Sequence, residues 1–260
     1  MTAPTRQRQG AAPWSALLPS LVIGGAILWA GTTTDIDISR LLDSGGRIAE
    51  FIGRMIPPDL SVMPEVMKGT AETLRIAILG TLGCVVASIG LGLLAAETIS
   101  PIWINRPVKL LLAVIRSIPL ILIAMLMVGA VGLGPVAGIL AIAFHATGML
   151  AKFYAEAIEG VDRAPVAALD SAGATMLQRL RFGIWPQMAP VIVRDTVFRF
   201  ELNLRESLIL GIVGAGGVGF YIQTYVRSFQ YEKAATLTLV VVGIVLLIEA
   251  GNTFLRRRFG

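Results

Sequence analysis

Residues 162–190 read DRAPVAALDSAGATMLQRLRFGIWPQMAP, a polar, turn-rich insert set between two apolar segments. On its N-terminal side lies GPVAGILAIAFHATGML, residues 134–150; on the other side runs a charged segment still long enough to cross a membrane. The insert carries the punctuation of two short helices. Pro165 suits a first turn, Gly173 suits a left-handed C-terminal position, and Thr175 is placed to cap the next helix. Ala167, Ala168 and Ala172 keep its surface small, so another backbone can come close. A connector this ordered reads as a docking element, a rigid knob offered to a second protein on one side of a membrane. The chain then forms the membrane half of a machine whose motor lies elsewhere.

The composition agrees. Hydrophobic residues make up 55% of the 260 positions and charged residues only 15%, with a mean hydropathy of +0.76. A soluble domain of this length needs far more charge to cover its surface. Cys84 is the single cysteine, which excludes an internal disulfide and a thiolate metal cluster. The net charge of +5 resides mainly in short connectors, a distribution that fits membrane orientation better than nucleic-acid binding. The phosphate-loop pattern G-x-x-x-x-G-K-[ST] does not occur, so no P-loop ATP site is expected in this chain. The first apolar stretch follows Arg6 and Arg8 with no A-x-A-like cleavage site, and reads as a retained anchor.

Six spans follow from runs of about 20 apolar residues, near residues 16–30, 69–96, 108–131, 136–157, 191–213 and 234–254. Small residues Gly80, Gly83, Ala87, Gly90 and Gly92 give the second span a close-packing face. Pro101 and Pro107 bracket a short connector, and Pro119 is expected to kink the third span. Between the first two spans, Ile48, Phe51, Ile52 and Met55 suggest a surface amphipathic helix ended by Pro57 and Pro58. Six spans put both termini on one side. Arg6, Arg8, Arg106, the bases of residues 152–181 and Arg256 to Arg258 make that side cytoplasmic. The expectation is an all-α integral membrane protein of a bacterial inner membrane. Residues 1–66 form an anchor span plus a periplasmic segment, and residues 67–257 a core with the docking loop at 160–190.

The insert resembles the cytoplasmic docking loop of ATP-binding-cassette importer permeases, written E-A-A, three residues, G, nine residues, I-x-L-P. Ala167, Ala168 and Leu169 stand at the E-A-A positions, Gly173 at the glycine and Pro186 at the proline, with the spacing kept. The glutamate is replaced by Ala167, and Gly183-Ile184-Trp185 precedes the proline. The phosphonate-importer branch is a closer match. Residues 116–159 resemble its R-x-I-P, G-L-G-P-x-A-G, H-x-x-G-x-L-x-K and E-A-I-E signatures in order, and residues 201–220 its N-x-R-x-S and L-G-x-V-G-A-G-G-x-G run. Residues 72–97 are similar to its first core helix, and the likeness covers roughly residues 67–254.

The resemblance implies a type I importer fold and a non-catalytic translocation subunit for a phosphonate or a related phosphorus oxyanion, phosphite or phosphate. Permeases of the same frame for methionine or glycine betaine are the near alternative. It implies a second permease copy or paralogue, a cytoplasmic ATPase dimer that holds the ATP and Mg, and a periplasmic phosphonate-binding protein. No cofactor and no nucleic acid are expected for this chain. The ATPase-coupling residues are then Ala167, Ala168, Leu169, Gly173, Ala174, Leu177, Arg179 and Pro186.

The fifth span is chemically unusual, with Arg194, Asp195, Arg199, Glu201, Asn203, Arg205 and Glu206 in a membrane-length helix. Charge at that depth costs at least about 2.5–3.5 kcal/mol, so these groups should face protein or water. Asp195 with Arg199, and Glu201 with Arg205, are spaced to pair on one face. Asn203, Arg205 and Ser207, with His145 and Arg116, are the expected substrate-pathway residues. Two roles stand open for Arg205: a planar fork for phosphoryl oxygens, or a member of a neutral network joining helices. His145 is either a packing partner or a pathway residue, and Arg116 an interface anchor or a pathway residue. Gly214, Gly216, Gly217 and Gly219 match the letters of a dinucleotide fingerprint but follow a membrane helix, not a strand. They read instead as a flexible helix break shaping the periplasmic mouth. An intramembrane enzyme would need a nucleophile with its base or a metal cluster, and a secondary transporter would leave the docking loop unexplained.

Overall fold

The computed structural model describes residues 14–34 and 38–259, of which residues 14–16, 18, 38–42 and 252–259 are described by backbone alone. The chain separates into two compact units, residues 1–53 and 54–260. The first holds α1 (Trp14–Thr33) and α2 (Ile38–Gly53). Residues 16–30 fall on α1, whose apolar part, Pro19–Thr33, is shorter than the other spans. Arg6, Arg8, Asp35 and Asp37 lie outside the described residues. On α2 the apolar side chains Ile48, Phe51 and Ile52 are exposed, as an amphipathic surface helix requires. The helix closes at Gly53, before Met55, so Met55 is not part of its face.

The second unit opens with a cap. Asp59 accepts from the Ser61 N–H at 2.8 Å and starts a 3₁₀ turn, Leu60–Val62. From it grows α3 (Met63–Ala95), with Pro64 in the first turn, where its missing N–H costs nothing. At 33 residues, α3 is about 50 Å long and overruns the ~30 Å hydrocarbon layer. Its main partner is α6 (Pro135–Glu159). Gly80 and Gly92 of the small-residue stripe explain the closeness, whereas Ala87 and Gly90 are exposed. A Cβ at Gly80 would lie 2.7 Å from Ile142, and one at Gly92 would lie 2.9 Å from Tyr154. The opposite faces carry exposed Leu82 and Val86 on α3 and Phe144 on α6, apolar surface suited to lipid.

The third expected span is not a kinked helix. It is two helices, α4 (Ile102–Ser117) and α5 (Leu120–Val131), bent by 89°. Pro119 lacks an N–H and forces Ile118 into an extended conformation with ψ 122°, so the helix ends there. Pro107 lies inside α4, which narrows the expected connector to the segment ending at Pro101. After α6 come α7 (Arg163–Ser171), the one-turn α8 (Met176–Gln178) and a wide π-helical turn, Arg179–Ile184. The turn runs straight into α9 (Trp185–Leu210), which therefore begins before Pro190 rather than after it. A 3₁₀ turn, Gly211–Val213, then α10 (Val218–Arg227) and α11 (Tyr231–Phe259) complete the order.

The described residues are helical throughout, with no strand. Four of their helical segments are long and apolar enough to cross a membrane, and the bent α4–α5 pair makes a fifth when counted as one span. The core is where α3, α6 and α9 meet, around Ile76, Cys84, Ile142, Leu150, Tyr154 and Leu210. Tyr154 and Thr196 share a 2.7 Å hydrogen bond between α6 and α9. This core separates two polar ends. At one, Asp59, Glu72, Gly134, Gly217 and Thr236 bind each other's segments. At the other, Glu97, Lys109, Glu159, Asp162 and Gln187 do so.

Candidate functional site: a capped loop, a glycine mouth and a buried charge

The loop is built as its punctuation predicts, with one addition. Asp162, not singled out by its sequence context, caps α7 by accepting from the Ala164 N–H at 3.0 Å. At the other end Gly173 adopts φ +74°, donating its N–H to Asp170 O at 3.0 Å, while Ala174 donates to Leu169 O at 3.0 Å. Those two bonds form a complete Schellman closure. Thr175 and Gln178 then make a capping box, with Thr175 N–H donating to Gln178 Oε1 at 2.8 Å. Arg179 Nη1 reaches back to Asp170 Oδ1 at 2.9 Å, tying the second turn to α7.

No residue of α7 is buried. Ala167, Ala168, Gly173, Leu177 and Pro186 are exposed, with Met176, Phe182 and Trp185 forming apolar surface beside them. Leu169, Ala174 and Arg179 are half-buried. Leu169 turns inward onto Gly183, where an added Cβ would lie 3.1 Å from it. No local pattern announces the link to the core. Gln187, in the first turns of α9, accepts from Asp162 N–H at 2.9 Å and donates from Nε2 to Gly183 O at 2.7 Å. The knob and the charged span are thereby one mechanical piece. Beside it, Lys109 bridges Glu97 at 2.8 Å and Glu159 at 3.3 Å, joining α4, the α3–α4 connector and α6. Its charge and hydrogen bond hold the Glu97 carboxyl below its ordinary range.

The glycine mouth lies at the opposite end. Gly214, Gly216 and Gly217 take φ of +85°, +82° and +78°, values that exclude most side chains. Gly219 is required for a different reason: a Cβ there would overlap the Leu208 carbonyl. The break is not flexible backbone, as its composition suggests. Glu72 Oε1 accepts from Gly217 N–H at 3.1 Å, Thr73 Oγ1 accepts from Val218 N–H at 2.9 Å, and Gly134 N–H donates to Gly214 O at 2.9 Å. Side chains of α3 thus fix the loop from a distance of 145 positions in sequence, which no local pattern reveals.

The five expected pathway residues do not converge. Asn203 is buried and donates from Nδ2 to Thr81 Oγ1 at 2.8 Å, bracing α9 to α3. Ser207 is buried and donates to Leu204 O at 2.7 Å. Arg205 points to another face, 43% exposed, paired with Glu201 at 2.9 Å and Glu249 of α11 at 3.4 Å. The helix-joining role is the one its geometry fits. Arg116 ends α4 and lines a cavity of about 180 Å³ with Lys109, Lys152, Glu156 and Glu159. His145 is half-buried on α6, its Nδ1 shielded and without a partner.

The expected Asp195–Arg199 pair does not form. Asp195 takes Arg194 at 3.0 Å instead, while Arg199 reaches two turns along α9 to Glu206 Oε2 at 2.7 Å. Arg199 is 3% exposed and Glu206 24%. The signal was legible in retrospect: Arg199, Asn203, Glu206 and Ser207 follow helical spacing and form one buried polar face. Among the described residues no group of acids, histidine or cysteine is placed to hold a metal.

The family described as "Binding-protein-dependent transport system inner membrane component" matches residues 88–260. The phosphite transport system permease protein PtxC of Stutzerimonas stutzeri is 36% identical over 248 residues, 95% of this chain and 90% of that protein. The phosphate-import permease protein PhnE of Mycolicibacterium smegmatis is 37% identical over 84% of this chain and 40% of its own length. Among solved structures, the inward-facing MetNI methionine ABC transporter matches with a TM-score of 0.65 at 24% identity, covering 76% of this chain and 98% of that one. The transporter that imports the polysaccharide alginate matches at 0.62 and 17% identity over 95% of this chain and 98% of that one. These likenesses show the fold of a type I importer permease.

Proposed function

Since the chain belongs to the family of inner membrane components of binding-protein-dependent transport systems, we propose that it is the translocation subunit of an ATP-driven importer for a phosphorus oxyanion. The substrate class rests on its 36% identity to a phosphite permease along nearly the whole of both chains. Two copies, or one copy and a paralogue, form the pathway. A cytoplasmic ATPase dimer, holding ATP and Mg, takes the knob of α7 and α8 in a groove. A periplasmic binding protein delivers the anion to the glycine mouth. In this reading both termini are cytoplasmic, supported by the bases Arg163, Arg179 and Arg181 in the loop.

The observation that carries this reading is the Gln187 clasp. Force on α7 enters α9 through the bonds between Gln187, Asp162 and Gly183, without passing through a hinge. ATP binding closes the ATPases, draws the knobs together and tips α9 with its packed partners; hydrolysis resets them. The charged span and the mouth move as bodies, since Glu72 and Thr73 lock the mouth to α3. The test is reconstitution of the chain with its ATPase and binding protein in proteoliposomes. Binding protein loaded with methylphosphonate, phosphite or phosphate is expected to stimulate ATP hydrolysis and anion uptake. Stimulation by methionine-loaded protein alone would overturn the substrate class.

A further inference from the structure

We infer that Arg199 is a transient oxyanion site inside the membrane and that Glu206 is its internal stand-in, displaced by the anion as it crosses. This rests on the oxyanion reading above and deepens it. Arg199 is 3% exposed, on the face of α9 packed against α3 and α6. Glu206 takes one of its terminal nitrogens at 2.7 Å. The rest of the fork is poorly served. Nη1 meets only the Met149 sulfur at 3.5 Å, a weak acceptor, and Nε is shielded with no acceptor. A guanidinium kept for packing strength is better matched by a bidentate carboxylate. Here charge is balanced while donors are left over, the condition in which a multi-oxygen ligand gains most.

A second unsatisfied group stands nearby. His145 lies one turn before Met149 on α6, within the electrostatic reach of Arg199, and its Nδ1 is shielded without a partner. A tetrahedral anion presents several acceptor oxygens, enough for Arg199 Nη1 and Nε and for His145 in the tautomer whose Nδ1 carries the proton. The two members of the ion pair differ in freedom. Arg199 is sealed, whereas Glu206 is 24% exposed and is the member an entering anion reaches first. Glu206 is therefore the member that leaves, and its return expels the anion, as transport requires. Arg205 does not compete for this role, since Glu201 and Glu249 already neutralise it. Buried ion pairs add little stability over apolar residues of the same size, so one kept in a membrane core invites a switching role.

The experiment uses the full complex in proteoliposomes and measures uptake of radiolabelled phosphate, phosphite and methylphosphonate. Failure of the unaltered complex to carry any of them sinks the oxyanion reading itself. Given uptake, a double variant, Arg199→Met with Glu206→Met, is expected to assemble, read as co-purification with the ATPase. Its uptake should fall at least about tenfold, as for loss of a charge-assisted contact. Wild-type uptake by that variant overturns the inference, because the pair is then structural. If the double variant does not assemble, Glu206→Gln decides: weaker competition for Arg199 should lower the half-saturating anion concentration several-fold. An unchanged value overturns the inference.

Discussion

Gly173 makes the sharpest backbone demand in the loop between α6 and α9. Its φ of +74° closes α7, yet nothing lies within 4 Å of the place a Cβ would occupy. The requirement is conformational and not steric. A β-branched residue in the left-handed region costs about 1–3 kcal/mol, whereas asparagine is tolerated there. Gly173→Val is therefore expected to abolish co-purification of the ATPase, and Gly173→Asn to retain most of it. Equal retention by both would remove the loop's shape from the account. Such local demands are what a sequence displays best. Gly173, Thr175 and the three left-handed mouth glycines were legible because each obeys a short-range rule. Asn203, Ser207 and Arg205 were legible as unusual residues but not as to direction. Which face of α9 is sealed depends on α3 and α6, and Arg199 turns seven positions forward to Glu206 rather than four back to Asp195.

At the scale of elements, the coupling between loop and span rests on Gln187. Its amide both accepts from Asp162 and donates to Gly183, a pair of roles that neither glutamate nor leucine reproduces. Gln187→Leu is expected to leave assembly intact and cut uptake per ATP hydrolysed several-fold, read as a ratio in proteoliposomes. An unchanged ratio would show that force reaches α9 by another path. Nearby, Lys109 depresses the Glu97 carboxyl. A depressed value means the contact helps stability above the ordinary carboxylate value of about 4.3 and loses that help as pH falls through the lower, folded value. Amide protection in residues 96–100, taken relative to the intrinsic exchange rate at each pH, should therefore fall on acidification below about pH 4, and Lys109→Met should flatten that dependence. The elements themselves were mostly foreseen from apolar run length. The exceptions share a cause: proline. Pro119 breaks a span where a kink was expected, because it also dictates the conformation of Ile118; Pro107 and Pro190 lie inside helices, although the apolar runs place span starts just after them.

Across the whole molecule, the second unit is a body with two differently finished ends. One is a rigid glycine mouth held by α3 side chains, the other a capped, exposed knob welded to α9. Between them lies a tightly packed three-helix core holding one sealed arginine. The docking assignment ties these parts into a transport cycle, and it makes a direct demand on the surface of α7. With Cys84 replaced by serine, a single cysteine at Ala168, which is exposed, should react with impermeant thiol reagents only from the cytoplasmic side. In the assembled complex it should cross-link to the ATPase subunit, with a yield that changes on ATP binding. Labelling from the periplasmic side, or cross-linking to lipid alone with the ATPase bound elsewhere, would contradict the account.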